Sequence, residues 1–164
     1  MKFEEKLGEQ YNKIANHVSD MIPGPWEKVN LVAYMKESSS EVFFFYNIPN
    51  NEKLFYALEI PEDFDVSERE FMKRLMELNR MFRKLRNKFI ENQQEPFGTC
   101  EFDFTIESKL KVSFEYIDWE ASEFGPSEKF DYYRYKKFGI LPKFQYEIDD
   151  LHAVEKYVKE SQEK

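Results

Sequence analysis

Between Cys100 and Tyr116 apolar and polar residues alternate with period two, and the alternation predicts two strands of a hairpin. Cys100, Phe102, Phe104 and Ile106 share one face, while Glu101, Asp103 and Thr105 share the other. The next run repeats the pattern, with Leu110, Val112, Phe114 and Tyr116 inward and Lys111, Ser113 and Glu115 outward. A one-residue slip would turn every apolar side chain into water. Setting Phe104 beside Val112 and Phe102 beside Phe114 predicts the loop Glu107-Ser108-Lys109. Glu101 then lies opposite Glu115, Asp103 sits one step along, and Asp118, Glu120 and Glu123 follow the second strand. Like charges facing each other across strands cost roughly 0.2–1 kcal/mol per pair. Either solvent and nearby lysines such as Lys111 relieve that repulsion, or a cationic partner does.

Elsewhere the period changes. Phe3, Leu7, Tyr11, Ile14, Val18 and Met21 recur at spacings of four and three, one apolar stripe of a helix that Pro23-Gly24-Pro25 ends. Three strands are expected next, through Val29–Met35, Glu41–Ile48 and roughly Lys53–Ile60, with turns at Ser38-Ser39-Ser40 and Asn50-Asn51. Val32, Tyr34, Phe43, Phe45 and Phe55 make their second face apolar too. A sheet apolar on both sides is normally covered on both sides, either by helices from the C-terminal third or by a partner docking on an exposed aromatic patch. Ser67 and Glu70 form a capping box for a long helix with Phe71, Leu75, Leu78, Phe82, Leu85 and Phe89 inward. Its outer side carries Arg69, Lys73, Arg80 and Lys84, which reads as a solvated face, a contact for an acidic partner or a phosphate ladder. Ser127 is expected to cap a short helix through Phe138, closed by Gly139, with Tyr132 and Tyr135 either packed in the core or offered to a partner. A last helix from Glu147 to about Glu160 follows. The expected fold is α+β: an antiparallel sheet of about five strands, two long helices on one face, short C-terminal helices, and a single domain over 1–164.

Composition narrows the function classes. Net charge is −8, with 24 Lys and Arg against 32 Asp and Glu, so counterion release cannot hold nucleic acid well and basic partners are favoured. No apolar run is long enough to span a membrane, and the opening Met1-Lys2-Phe3-Glu4-Glu5 lacks a signal-peptide pattern, so a cytoplasmic protein is expected. A single cysteine, Cys100, excludes an internal disulfide framework. His17 and His152 have no ligands at metal-binding spacing, and the 5 glycines form no phosphate loop. Glu101, Asp103, Glu115 and Asp118 could converge on a divalent cation, but an open sheet face makes a poor cavity. No catalytic residue, metal or cofactor is assigned.

Several segments are recognisable together: Phe3-Glu4-Glu5-Lys6-Leu7, Ile22-Pro23 through Trp26-Glu27-Lys28-Val29, Glu95-Pro96-Phe97-Gly98-Thr99-Cys100-Glu101-Phe102-Asp103-Phe104, Val112–Trp119 and Tyr133–Pro142. In this order they resemble the YezG/EsaG-type antitoxin family of Gram-positive bacteria. Phe97, where a Trp is expected, and the basic helix over 69–88 depart from that pattern. The resemblance implies a cytoplasmic immunity protein that binds and silences the nuclease domain of a toxin exported by a type VII-like (LXG-like) system. On that basis the expected toxin-binding residues are Glu101, Asp103, Glu115, Asp118, Glu120 and Glu123 for the toxin's phosphate-holding cations, with Trp119, Phe124, Tyr132 and Tyr135 as anchors. Reversing Glu101 and Glu115 to Lys should then weaken binding more than folding. The alternative is a non-toxin adaptor that binds a cellular protein or peptide through an exposed aromatic sheet face.

Overall fold

The segment Lys28–Met35 is apolar on both faces, and it forms the central strand, β1, with every residue after Lys28 buried. The computed structural model describes residues 2–163. In it β1 pairs antiparallel with β2 (Ser40–Asn47) on one side and β4 (Thr99–Thr105) on the other. β3 (Phe55–Tyr56) and β5 (Leu110–Glu115) form the edges, giving the order β3-β2-β1-β4-β5.

One face of the sheet, bearing Leu31, Ala33, Phe44 and Phe102, packs under the two long helices α1 (Phe3–Met21) and α3 (Glu68–Glu91). Aromatic rings set the spacing there. Phe82 of α3 and Tyr11 of α1 both meet Phe102 edge-on, at 5.5 and 5.6 Å, and Phe89 meets Phe114 at 5.1 Å. Gln10 ties the helices together by donating from Nε2 to the Met81 carbonyl, 3.1 Å away. Of the expected capping box only the Ser67 half forms: Ser67 Oγ accepts the Glu70 N–H at 3.2 Å.

The second face, with Val32, Tyr34 and Phe45, is covered by α4 (Pro126–Phe138) and α5 (Gln145–Gln162). Phe45 stacks with Phe130 at 5.8 Å and with Tyr133 at 6.2 Å. Helices from the C-terminal third therefore cover this face, and among the described residues it is not the exposed aromatic sheet face that an adaptor would need. α4 begins one residue before the expected cap. Pro126 takes the first helical position, where its missing N–H costs nothing, and Glu128 Oε2 accepts the Gly125 N–H at 2.8 Å. Gly139 ends α4 in the left-handed region, φ 70°, as its position predicts.

Two expectations need correction. The third strand pairs only through Phe55 and Tyr56 before giving way to a 3₁₀ turn (Ala57–Glu59) and a short helix, α2 (Ile60–Asp63). Pro61 is the reason: it has no N–H for a ladder but fits the first turn of a helix. The hairpin register is shifted by two residues, pairing Cys100 with Phe114, Phe102 with Val112 and Phe104 with Leu110. Its turn is Ile106-Glu107-Ser108. The Ser108 N–H donates to the Thr105 carbonyl at 3.0 Å, the Thr105 N–H to the Lys109 carbonyl at 3.1 Å, and Ser108 holds φ 67°. That is a tight turn closed by one left-handed residue, and it leaves Ile106 in solvent. A two-residue shift preserves the alternation of faces along the paired residues, but Ile106, Leu110 and Tyr116, expected inward, are exposed at the hairpin's ends, and the partners change. Glu101 now faces Ser113, Asp103 faces Lys111, and Glu115 faces Thr99.

Gly98 lies where the chain enters β4 and the segment after β5 crosses very close. A Cβ there would stand 1.9 Å from the Ile117 carbonyl oxygen. Gly98→Ala is expected to cost roughly 1–3 kcal/mol through that clash with backbone, read as a lower denaturant midpoint at unchanged slope.

Candidate functional site

The acidic side chains of β4 and β5 lie beneath α4. Its period places Lys136 and Lys137 in its last turn, over the carboxylates. Lys136 Nζ is 3.1 Å from Glu101 Oε2 and 3.8 Å from Glu115 Oε1. Lys137 Nζ is 2.6 Å from Asp103 Oδ2 and 3.6 Å from Glu101 Oε1. Asn30 adds a donor, with Nδ2 2.6 Å from Asp103 Oδ1. Glu101 retains only 8% of its surface, and at that depth a carboxylate is tolerated only with its cations in place. The expectation that these side chains jut outward and unpaired is therefore overturned. The strand register leaves their face unchanged, and a helix more than thirty residues downstream brings their cations. Burial pushes the Glu115 carboxyl above its ordinary value, with Lys136 opposing the shift and Glu101 adding to it.

Trp119 and Tyr132 are interior residues too. Trp119 Nε1 donates to Thr99 Oγ1 at 3.0 Å, and its ring meets Tyr34 edge-on at 5.3 Å. Lys129, which has no exposed surface, fixes this corner. Its Nζ lies 3.1 Å from both carboxylate oxygens of Glu41 and 5.5 Å from the Trp119 ring centroid. Burial pulls the Lys129 amine below its ordinary value and Glu41 holds it up. Nothing in the local pattern of this helix singles out Lys129 as interior. Phe124 and Tyr135 are half-buried, Phe124 edge-on to Tyr157 at 5.7 Å and Tyr135 edge-on to His152 at 5.6 Å.

Asp118, Glu120 and Glu123 remain exposed. The first two rim a cleft of about 430 Å³. Its walls are the end of β1 with Lys36 and Glu37, the segment Glu95–Gly98 entering β4, and the segment Tyr116–Glu120 leaving β5. Backbone bonds stitch these walls together. The Met35 N–H donates to the Gly98 carbonyl at 2.7 Å, and the Gly98 N–H to the Glu115 carbonyl at 2.9 Å. Arg83 Nη1 donates to the Lys36 and Glu37 carbonyls at 2.6 and 3.0 Å, and Arg86 Nε to the Phe97 carbonyl at 3.2 Å. Two arginines of α3, Arg83 and Arg86, thus hold the cleft wall. The Glu37 N–H donates to Glu120 Oε1 at 2.9 Å, and Asp118 Oδ1 accepts the Ala121 N–H at 3.1 Å to fix the turn beyond.

Four carboxylates rim the cleft, Glu37, Glu95, Asp118 and Glu120, against the cations Lys36 and Arg86. None of the four makes an ion pair among the described residues. Tyr116 stands between them, half-exposed, its phenol pushed up by burial and by Glu95, so it stays a hydrogen-bond donor. Glu37 escaped the sequence reading because no periodicity marks it. Glu95 and Tyr116 lay inside recognisable segments but were not assigned a role. No group of three or more His, Cys, Asp or Glu side chains among the described residues is placed to hold a metal. No helix among them is long and apolar enough to cross a membrane.

Helices covering both faces of one antiparallel sheet, with an acidic and phenolic cleft at the strand ends, define a small α+β protein. The chain matches the model for "Immunity protein YezG-like" over residues 7–152. It is 48% identical over 163 residues to the type VII secretion system protein EsaG of Staphylococcus aureus, covering 99% of this chain and 100% of that one. It is 35% identical over 159 residues to the immunity protein YezG of Bacillus spizizenii, with 97% of each chain covered. Against YezG of Bacillus subtilis the figures are 30% over 148 residues, 90% of this chain and 96% of the relative. The chain belongs to the YezG-like immunity protein family.

Removing both lysines over the carboxylates isolates their structural role. Lys136→Gln with Lys137→Gln is expected to destabilise the fold by roughly 1–3 kcal/mol, because Glu101 is left buried without a cation. Charge reversal at Glu101 and Glu115, for the same reason, is expected to lower the denaturant midpoint rather than spare folding. Glu115 also imposes a pH dependence. Its folded pKa is raised, so its stabilisation is full below the ordinary value of 4.5 and is lost as pH rises through the folded value. The stability difference between wild type and Glu115→Gln should therefore fall from pH 4.5 towards neutrality, as read by urea unfolding at a series of pH values.

Proposed function

We propose that this chain is a non-catalytic cytoplasmic immunity protein that binds and neutralises the nuclease domain of a type VII-secreted toxin, and that it does so through the acidic cleft. Family membership supports the immunity role, and the name of the S. aureus relative supports the secretion context. One observation carries the choice of surface. The rim carboxylates Glu37, Glu95, Asp118 and Glu120 face solvent and have no cation of their own among the described residues, whereas Glu101, Asp103 and Glu115 already hold lysines.

The chemistry follows from what a nuclease must expose. A groove that holds DNA phosphates is built from lysine and arginine, and those side chains must be fed an alternative set of anions if DNA is to be displaced. A rim of carboxylates provides the anions. Tyr116 adds an amphipathic ring with a protonated hydroxyl, the type of side chain that anchors interfaces once water is excluded. Glu123 and the half-buried Phe124, beyond the turn fixed by Asp118, extend the same acidic and aromatic character. The cleft walls are held by backbone bonds, so the rim is preorganised and little ordering entropy opposes docking.

Co-expression with the neighbouring reading frame should yield a co-purifying complex and rescue cells from that frame's toxicity. Glu37→Lys with Glu95→Lys is the direct test of the cleft, since neither carboxylate accepts a side-chain hydrogen bond among the described residues and folding is left intact. The double variant is expected to bind at least about tenfold more weakly, roughly 1.4 kcal/mol, with an unchanged melting curve. Undiminished affinity would move the interface elsewhere, and the absence of any complex for the wild type would remove the toxin reading itself.

A further inference from the structure

β5 ends the sheet, and its outer edge is unpaired. The Thr105 N–H bonds the Lys109 carbonyl, so antiparallel alternation turns the backbone groups of Lys111, Ser113 and Glu115 towards β4. Those of Leu110, Val112 and Phe114 point outward, and none of them has a partner among the described residues. Such an edge is a template for another strand unless something blunts it. Apolar side chains beside it are open as well, Leu110 being 38% and Tyr116 49% exposed. The neighbouring helix leaves room. Asn12, Ala15 and Ser19 of α1 line a groove of about 320 Å³ together with Leu110. Gly8, on the same helical stripe, has nothing within 4 Å of where a Cβ would stand. Glu4 is the charged member of that stripe, and it lies about two turns from Tyr11, whose ring meets Phe114.

We propose that the β5 edge pairs antiparallel with the same edge of a second copy, about a twofold axis at Ser113, joining the two five-stranded sheets edge to edge. Charge and apolar area select both the occupant and the register. With the axis at Ser113, Val112 exchanges backbone bonds with Phe114 of the second copy, and Leu110 lies opposite its Tyr116. Lys111 lies opposite its Glu115, in the closely spaced, non-hydrogen-bonded kind of pair. The symmetry makes every pair twice. Lys111 has no ion pair within its own chain among the described residues. Glu115 has capacity for it, since Lys136 Nζ stands 3.8 Å from Oε1 and Gln162 Nε2 donates to Oε2 at 2.8 Å. A lysine on an edge strand normally discourages pairing, and here it discriminates among registers. An axis at Lys111 would oppose the two Lys111 side chains, an axis at Val112 would leave Tyr116 uncovered, and an axis at Phe114 would set Lys111 against Ile117. Glu107, Lys109, Lys111 and Glu115 make the strand and its turn locally neutral, so the net −8 of the chain is not concentrated at this edge. Tyr116 also lines the cleft. Self-pairing and the toxin binding proposed above therefore draw on one side chain and compete, although the pairing itself does not depend on the toxin.

Sedimentation of the full chain over a concentration series is expected to show a monomer–dimer equilibrium. Leu110→Lys removes the apolar cover of Tyr116 at both ends of the paired strands, at a position that is already partly in solvent. It is expected to raise the dimer Kd at least about tenfold with unchanged circular dichroism, while Leu141→Lys, at an exposed apolar residue elsewhere, leaves Kd unchanged. Ser113→Cys reads the register and alters no charge. On the axis the two Cα atoms would stand about 4.5 Å apart, within the span of a disulfide, so oxidation should link the copies. The native Cys100 is buried and does not compete. Lys111→Cys, off the axis, should not cross-link. A wild type that is monomeric at every concentration would overturn the pairing, as would a cross-link through Lys111→Cys in place of Ser113→Cys. A monomeric wild type whose complex with the product of the neighbouring reading frame is weakened by Leu110→Lys would overturn it too, and would assign the edge to a strand of the toxin. The sedimentation and cross-linking readouts use the free protein, so failure of the toxin reading leaves them unmoved.

Discussion

Carboxylates on β4 and β5 meet ammonium groups on α4 across the outer face of the sheet, and much of the molecule's surface chemistry follows from that contact. Glu101 and Asp103 are held by Lys136 and Lys137, and Glu41 by the fully buried Lys129. Charges removed from water are expensive unless they are matched closely, so these pairs fix where α4 can sit. With α4 in place, Phe45 and Tyr34 are covered and Trp119 is enclosed. The acidity of the hairpin is spent internally, and only carboxylates beyond the reach of α4 stay available to a partner.

The cleft is the complementary consequence. Gly98 allows the chain entering β4 to pass close against Ile117, and the bonds of Met35 and Glu115 to Gly98 hold three segments side by side. Arg83 and Arg86 satisfy carbonyls along the wall rather than pairing with the rim. The result is an acidic edge supported by basic groups behind it. The rim carboxylates form no ion pair with that scaffold among the described residues, although Lys36 and Arg86 line the same cleft.

The elements that could be read from sequence are those governed by near neighbours. The stripe of α1, the Ser67 cap of α3, the Gly139 stop of α4 and the inward and outward faces of the hairpin all depend on residues within a turn or two of each other. Errors arose where a second local signal overrode the pattern. Pro61 converted the end of a strand into a helix, and the left-handed Ser108 moved the hairpin partners by two positions while preserving the faces. Of the assigned site, Asp118, Glu120 and Glu123 are exposed as read, whereas Glu101, Trp119 and Tyr132 are interior.

By itself the sequence determined the identity and length of most helices and strands, the side of the sheet on which each hairpin residue sits, and an overall charge that favours basic partners. Only the tertiary structure decided which carboxylates are free. Glu101 lies 35 residues from Lys136, and Glu41 lies 88 from Lys129. Alternation can say that a side chain leaves the sheet on a given face, because that is set by backbone geometry over a few residues. Whether it then enters water or meets an ammonium group depends on a helix packed from the far end of the chain, and no local period encodes that meeting.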